Sequence, residues 1–403
     1  METQFRLPWR ASIALCGIMI SIASAATLYA QEADKTEATT KASPTEDPSL
    51  KEKLEEIRAK YQLPAMWCGV FHVDGRSTMA VTGIRRWKDE ALATLTDPIH
   101  LGSCTKAMTG ALIGQLCSEG KLRLDMTLGE IFPTEIPQDS AWSSVTVQNL
   151  LQHESGLPAN LDWWRLMKDR NDVVEAREAM LQAILKLRRP QKTKFLYSNT
   201  GYALLGHIIE KVESKSWEEA MRERIAKPLG MESLDFGPIV SLPGESKGAV
   251  PNGHTLIPSA GRIFTQLMGG KGQMDWQSHQ IDNAPVMGPA GSAHARLYDW
   301  AKFTLAFADH NGNERLKISD DVWKKLLESK TKDGYAGGWI VSERSWAGGR
   351  IYTHNGSNTT WYCVVFTAPE KNLCYLAATN VFYDNAPKAC DEAIVQAIEV
   401  KLK

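Results

Sequence analysis

Three short motifs in this 403-residue chain hold the residue types that acyl transfer through a serine ester requires. In chain order they are Ser103-Cys104-Thr105-Lys106, Tyr197-Ser198-Asn199 and His354-Asn355-Gly356. Together they supply a hydroxyl nucleophile, an amine, a phenol, an amide and a glycine that lets a substrate approach the backbone. Each motif also has a purely structural interpretation, so only the ordered set points to catalysis.

The first motif predicts a nucleophile and its base at the start of a helix. Side chains three residues apart share a helix face, about 5–6 Å apart between Cβ atoms, so Ser103 and Lys106 would face each other. A serine hydroxyl is a weak nucleophile until a base removes its proton, and a lysine whose pKa is lowered by burial is such a base. The structural alternative is a helix cap at Ser103. Cys104 points to another side of the helix and is expected to pack.

The second and third motifs add groups that can carry a proton and hold a substrate. Tyr197 and Asn199 point to the same side of an extended segment, where the phenol can shuttle a proton and the amide can bind a substrate amide. The third motif ends a predicted strand over residues 351–354, and the N–H of Ser357 after Gly356 is a candidate oxyanion donor. The alternatives are a core tyrosine before a helix and an Asn-Gly turn between two strands.

Hydrophobic periodicity predicts strands at both ends of the chain and helices between them. The predicted strands cover residues 66–73, 77–82, 337–342, 351–354, 360–367 and 373–380, and the predicted helices cover residues 103–120, 145–153, 173–187, 200–213, 297–308 and 386–400. Consecutive strands joined by tight turns pair antiparallel. We therefore expect an α+β fold in which a sheet subdomain (about 50–125 and 275–403) carries an inserted helical subdomain (about 126–274), with a site in the cleft between them.

The N-terminus has the pattern of a secretory signal peptide over residues 1–30. Arg6 and Arg10 precede an apolar run over residues 11–22, and small residues follow. The run is short for a membrane span, so membrane contact is expected only if the segment stays uncleaved as an anchor. Residues 31–49 lack large apolar side chains and are predicted to be a flexible linker before a folded domain over residues 50–403. The protein is thus expected to be exported, to the periplasm or outside the cell.

Composition excludes some partners and leaves the cysteines open. A formal charge of −1 gives no electrostatic reason to expect nucleic acid as a partner. The six cysteines after the signal segment match no zinc spacing. Cys363 and Cys374 flank a predicted hairpin turn and are a candidate disulfide, with buried free thiols as the alternative.

The ordered motifs resemble the serine β-lactamase and penicillin-binding protein superfamily, in the branch that holds class C β-lactamases, D-peptidases and related esterases. The superfamily pattern SxxK, YxN and K/H-x-G matches the three motifs. Further landmarks fall between them: LLQHESGLP at 150–158 resembles LLxHxSGLP, PAGS at 289–292 with DWAKF at 299–303 resembles PAGG…DLAKF, and YAGGW at 335–339 resembles YGLGW. The similarity spans residues 50–401.

The resemblance implies a β-lactamase/transpeptidase-like fold and a role for each motif residue. Ser103 would be acylated, Lys106 would help to deprotonate it, and Tyr197 would pass the proton to the leaving group or activate the deacylating water. The substrate-binding residues would be Asn199, His354, Asn355, Gly356 and Ser357, with the N–H groups of Ser103 and Ser357 as the oxyanion hole. No metal and no organic cofactor is implied.

One departure from the superfamily pattern bears on the substrate. His354 stands where members that bind penicillins have a lysine, and a histidine is mostly neutral at pH 7. We therefore expect an ester or a D-amino-acid peptide or amide as substrate, including a peptidoglycan fragment, rather than a β-lactam. A class C-like β-lactamase and a non-catalytic relative that binds peptidoglycan or a partner protein are the alternatives.

Overall fold

The computed structural model describes residues 46–190, 194–241, 249–257, 274–330, 334–400 and 402. The strands are β1 Ala65–His72, β2 Ser77–Gly83, β3 Pro98–His100, β4 Asp235–Phe236, β5 Gly253–Leu256, β6 Trp276–His279, β7 Ala293–Arg296, β8 Gly334–Ala336, β9 Trp339–Arg344, β10 Gly349–Ser357, β11 Tyr362–Ala368 and β12 Leu373–Thr379. The α-helices are α1 Pro48–Lys60, α2 Thr105–Ser118, α3 Leu128–Ile131, α4 Val147–Leu151, α5 Trp163–Met167, α6 Val173–Leu185, α7 Asn199–Glu213, α8 Trp217–Met221, α9 Lys227–Leu229, α10 Gly288–Gly291, α11 Leu297–Leu305, α12 Gly312–Arg315, α13 Asp320–Leu326 and α14 Ala386–Glu399. The predicted signal peptide lies outside the described residues. In the ranges given above, no helix combines the length and apolar character that a membrane crossing needs.

A seven-stranded antiparallel sheet in the order β2-β1-β12-β11-β10-β9-β8 organises the chain. The β1–β2 hairpin comes from the N-terminal part, and β8 to β12 come from the C-terminal part. Short loops join most of these strands, as the tight turns in the sequence indicated. The predicted α+β class, an antiparallel sheet flanked by helices, is confirmed. The limits of the two subdomains stay a prediction.

Both faces of the sheet are buried, because side chains alternate between two apolar layers. Along β1, Met66, Cys68 and Val70 belong to one layer, whereas Trp67 and Phe71 belong to the other. Helices α1 and α14 cover the first face, and α11 packs on the second. Helix α2 is buried along most of its length and contacts α7, α10 and α13, so it is the central helix of the second layer.

The fold begins inside the segment predicted to be a linker. Asp47 caps α1 by accepting a hydrogen bond from Leu50 N at 2.8 Å, and Pro48 is in the first turn of the helix. Leu50, Leu54 and Ile57 then bury one face of the helix. The helix thus begins at Pro48, inside the predicted linker of residues 31–49, because a capping carboxylate and a first-turn proline carry a helix start that hydrophobicity does not show. Residues 31–45 of the linker lie outside the described residues.

The candidate disulfide between Cys363 and Cys374 was also wrong. In the β11–β12 register Cys363 faces Ala378 and Cys374 faces Thr367, so the two residues are not opposite each other. All six cysteines from Cys68 onward are free, as the alternative interpretation stated.

One buried arginine joins the helices of the middle segment. Arg177 of α6 is fully buried, and its guanidinium donates hydrogen bonds to Glu210 of α7 and, at 2.7 Å, to Glu218 of α8. It also donates to the carbonyls of Pro285 at 3.1 Å and Val286 at 3.2 Å, in the turn before α10. Loss of Arg177 would leave the buried Glu210 carboxylate without its guanidinium partner and would take one donor from each of the two carbonyls.

We predict that Arg177→Met lowers the free energy of unfolding by about 3–5 kcal/mol, because it leaves Glu210 as an uncompensated buried charge. Urea denaturation monitored by circular dichroism measures this loss. The matched control is Arg222→Met, which breaks the exposed Arg222–Asp235 pair and should change stability by less than about 1 kcal/mol. Equal losses in the two variants would contradict the prediction.

Candidate active site

The nucleophile candidate lies in a tight turn that leads into α2. Ser103 is the middle residue of a 3₁₀ turn over Gly102–Cys104, directly before α2 begins at Thr105. The expected helix start at Ser103 is therefore a 3₁₀ turn continuous with the α-helix. Lys106 follows one turn later, and its Nζ lies 3.1 Å from Ser103 Oγ. The structure brings these two side chains together as the spacing predicted.

Lys106 is a buried lysine that pairs with no carboxylate among the described residues. Its side chain is 0% exposed, and Nζ also donates to Asn199 Oδ1 and to the backbone carbonyl of Ala290, both at 2.7 Å. Within the described part of the chain, its hydrogen-bond partners are thus a hydroxyl, an amide and a carbonyl, and none is a carboxylate. Burial lowers the pKa of Lys106 from 10.5 to about 7, because a desolvated ammonium is costly.

The second motif reaches the same lysine from the helical segment. Ser198 caps α7 by accepting a hydrogen bond from Gly201 N at 3.0 Å, which leaves Tyr197 in the extended chain just before the helix. The Tyr197 ring centroid lies 4.8 Å from Lys106 Nζ. Burial raises the pKa of the Tyr197 phenol, and a side-chain hydrogen bond with Ser103 acts in the opposite direction. Tyr197 and Asn199 therefore converge on the Ser103–Lys106 pair, and the phenol is protonated at neutral pH.

The third motif is inside a strand, which corrects both the predicted strand end at residue 354 and the turn interpretation. β10 runs on to Ser357, and Gly356 pairs with Cys363 of β11. A Cβ on Gly356 would overlap the carbonyl of Leu101, and a Cβ on Gly102 would overlap the Ser357 backbone nitrogen. The two glycines thus let β10 lie against the nucleophile turn, with Ser357 N beside it. Asn355 is exposed, and its amide donates to Tyr362 Oη at 3.3 Å.

His354 is held as a neutral ring. It is 2% exposed, its Nδ1 lies 2.5 Å from the carbonyl oxygen of Asn355, and its Nε2 lies 3.0 Å from the Tyr335 hydroxyl. Because a carbonyl only accepts, the proton sits on Nδ1 and Nε2 accepts from the phenol. Burial, followed by the charge of Lys106, lowers the pKa of His354 from 6.5 to about 3. The third motif therefore carries no fixed positive charge.

Some residues of the site were not assigned a role from the sequence. The amide of Asn199 donates to Asn160 Oδ1 at 2.8 Å, so Asn160 orients the side chain that contacts Lys106. The Ala290 carbonyl and Tyr335 lie in the stretches PAGS and YAGGW, which the sequence marked as landmarks without roles. A backbone acceptor such as Ala290 O leaves no signal in residue type.

His153 supports the segment of the second motif by hydrogen bonding. Its Nδ1 accepts from Ser198 N at 3.0 Å, and its ring lies 4.5 Å from that of Tyr197 and 4.4 Å from that of Tyr335. Burial, followed by the charges of Lys106 and His354, lowers the pKa of His153 from 6.5 to about 2. The ring is therefore a neutral support for Tyr197.

Comparison with known proteins places this geometry in a family. The β-lactamase family model matches residues 50–398. Among curated proteins, the chain is 26% identical to penicillin-binding protein 4 of Amycolatopsis lactamdurans over 84% of this chain and 86% of that protein. It is 22% identical to the unguisins hydrolase ungD' of Aspergillus campestris, over 78% of this chain but only 60% of that longer protein.

Solved structures share the fold at lower sequence identity. SurE superposes with a TM-score of 0.68 at 21% identity, covering 87% of this chain and 75% of SurE. A class C β-lactamase from Rhodobacter sphaeroides gives a TM-score of 0.66 at 18% identity, covering 88% of this chain and 100% of that chain. The D-amino acid amidase of Ochrobactrum anthropi SV3 gives 0.66 at 18% identity, covering 87% and 99%. With the family model matching most of its length, the chain belongs to the β-lactamase family, whose members are serine hydrolases.

Proposed function

We propose that the protein hydrolyses an ester or a D-amino-acid peptide or amide through an acyl ester on Ser103. The observation that carries the proposal is the buried Lys106, which lies 3.1 Å from Ser103 Oγ with a pKa lowered by burial to about 7. An amine that is partly neutral at physiological pH can take the serine proton, whereas an ordinary surface lysine cannot.

In the acylation step, Ser103 Oγ bonds to the substrate carbonyl carbon while its proton passes to Lys106 Nζ. The carbonyl oxygen becomes an oxyanion that accepts hydrogen bonds from the backbone N–H groups of Ser103 and Ser357. When the intermediate collapses, the bond to the leaving oxygen or nitrogen breaks. That atom takes the proton through the Tyr197 phenol, and Asn199 holds the substrate.

Deacylation repeats these transfers with water as the nucleophile. Water gives a proton to the same base, its oxygen bonds to the acyl carbon, and Ser103 Oγ leaves and regains a proton. The raised pKa of Tyr197 means that its phenol is protonated in the free enzyme and can act as a proton relay. The lowered pKa of Lys106 favours the lysine as the base. On this proposal Lys106 is the base and Tyr197 is the proton relay, two roles that the motifs alone left shared.

The neutral His354 bears on the substrate class. A penicillin carries a carboxylate that a positive group at this position would attract, and His354 is uncharged at neutral pH, with Nε2 accepting from Tyr335. The structural likeness to a D-amino acid amidase supports an amide of a D-amino acid as substrate, and a peptidoglycan fragment belongs to the same proposed class. A β-lactamase is the second candidate, because the fold also matches a class C β-lactamase. The assembled nucleophile and base disfavour a non-catalytic relative that only binds peptidoglycan or a partner protein.

Export is part of the proposal and is supported by the charge, apolar run and small residues of segment 1–30. A periplasmic or secreted enzyme would meet peptidoglycan fragments and small esters outside the cytoplasm. Membrane contact is proposed only for a chain that keeps this segment.

We predict that a fluorophosphonate probe labels Ser103, with fluoride as the leaving group, and that intact-mass and peptide-mass analysis locates the adduct there. Ser103→Ala should lose the label and lower kcat/KM on an ester by on the order of 10⁴-fold. A label that persists in Ser103→Ala, or the absence of a label in the unaltered protein, would contradict the proposed function.

We predict that kcat/KM for an ester rises with pH through about 7 and is level above it. The rise follows the deprotonation of Lys106, whose pKa is about 7, so the rate at pH 6 should be about a tenth of the plateau. Lys106→Arg, which cannot lose its proton, should be inactive across the range. The control Lys211→Arg, on the exposed Lys211–Glu135 pair, should keep the profile. A profile that falls with pH or stays flat from pH 5 to 9 would count against Lys106 as the base.

We predict that p-nitrophenyl acetate and D-alanyl peptides are turned over faster than nitrocefin, because His354 offers no charge to a β-lactam carboxylate. Steady-state rates on the three substrates, each corrected for the rate of Ser103→Ala, make the comparison. The reverse order would favour the β-lactamase candidate.

A further inference from the structure

A histidine outside the three motifs holds the turn that carries Ser103. His100 ends β3, its side chain is 1% exposed, and its Nδ1 accepts a hydrogen bond from Gly102 N at 3.0 Å. Gly102 has a φ of +46°, a left-handed conformation that the chain must keep for the turn to form. On the other side of the turn, Thr105 Oγ1 donates to the Gly102 carbonyl at 2.7 Å. Gly102 is thus held at both its N–H and its carbonyl, next to the nucleophile.

A buried carboxylate lies beside the other ring nitrogen of His100, and its negative charge favours the form of the ring that can accept this hydrogen bond. Nδ1 accepts from Gly102, so a neutral ring carries its proton on Nε2. Nε2 lies 2.8 Å from Asp282 Oδ1, and the Asp282 side chain is 2% exposed. The opposite tautomer would set an Nδ1 proton against the Gly102 N–H and leave Nε2 without a proton beside the carboxylate. Asp282 therefore disfavours the tautomer that would release the turn.

The same segment touches two other parts of the site. Asp282 Oδ1 also accepts from Asn358 Nδ2 at 3.3 Å, and Asn358 Oδ1 accepts from Trp361 N at 3.0 Å in the loop directly after Ser357. Asn283 Nδ2 donates to the Gly291 carbonyl at 2.7 Å, next to the Ala290 carbonyl that binds Lys106. Residues 282–283 therefore reach the nucleophile turn through His100, and they contact the loop after the oxyanion donor and the segment that holds the base directly.

We propose that His100, oriented by Asp282, is a positioning residue that aims the Ser103 hydroxyl and N–H at the substrate carbonyl. The inference rests on the proposed function, since it concerns the acylation of Ser103. His100 touches neither the substrate nor the reacting atoms. It acts through Gly102 N–H, whose displacement would move the adjacent serine relative to Lys106 and to Ser357 N.

The test compares substitutions that distinguish the effect of the acceptor atom of His100 from the effect of its ring shape. His100→Phe keeps a planar ring but has no acceptor atom. It should lower two quantities by at least about tenfold: the rate at which a fluorophosphonate phosphonylates Ser103, and kcat for p-nitrophenyl acetate. The reason is that small misplacements of reacting atoms are costly. KM should change little. His100→Asn, whose Oδ1 can accept from the N–H two residues on, should recover the rate to within about threefold of the unaltered protein.

The matched control is His207→Phe, which removes another buried histidine beside a carboxylate, Glu210, and keeps the stacking of the ring on Phe132. His207→Phe should lower the melting temperature. It should not change the rate per active site, where active sites are counted by titrating Ser103 with the fluorophosphonate. If His100→Phe is insoluble, His100→Ala takes its place in the comparison with His100→Asn. An unaltered rate in the variant without an acceptor, or the same slow rate in His100→Asn, would overturn the positioning role while leaving the proposed function standing. Absence of labelling in the unaltered protein would instead overturn the proposed function itself.

Discussion

The burial of Lys106 is the constraint on which the site depends. An ammonium removed from water without a carboxylate partner loses its proton readily, so its pKa falls to about 7. Among the described residues, the groups that accept hydrogen bonds from Lys106 Nζ are neutral: the Ser103 hydroxyl, the Asn199 amide oxygen and the Ala290 carbonyl. An acidic partner would raise the pKa again and remove the base. The site thus needs a pocket that shields Lys106 from solvent, offers it neutral hydrogen-bond acceptors and places no carboxylate beside it.

Several separate parts of the fold build that pocket. α2 presents Lys106, and α7 brings Asn199 from the middle segment. α10 supplies the Ala290 carbonyl, and Arg177 of α6 bonds the turn directly before α10 to α7 and α8. The strand β10 closes the remaining side, because Gly102 and Gly356 allow the backbones to approach. Packing in the helical segment and chemistry at Ser103 are therefore coupled through a few buried polar contacts.

The histidines around the site illustrate how burial decides charge. His153 and His354 both have lowered pKa values, because each is desolvated and faces Lys106, and each uses a ring nitrogen as an acceptor. Neither adds positive charge that would compete with the ammonium or attract an anionic substrate. At neutral pH the site therefore gains no positive charge from these two rings.

The sequence by itself determined the family, the three motifs and the antiparallel sheet, because alternating strands, an i,i+3 Ser–Lys pair and tight turns are local patterns. It predicted the bounds of α7 and β12 to within about one residue, since both segments have a sustained run of apolar residues with polar residues at the ends. It missed the start of α1 and the extension of β10 to Ser357, where a cap and strand pairing outweigh local hydrophobicity. Only the tertiary structure showed that no carboxylate among the described residues pairs with Lys106, that the Ala290 carbonyl binds Lys106 and Asn160 binds Asn199, and that burial lowers the pKa of His354 to about 3. Burial, backbone acceptors and pKa shifts arise from residues far apart in the chain, and no spacing in the sequence encodes them.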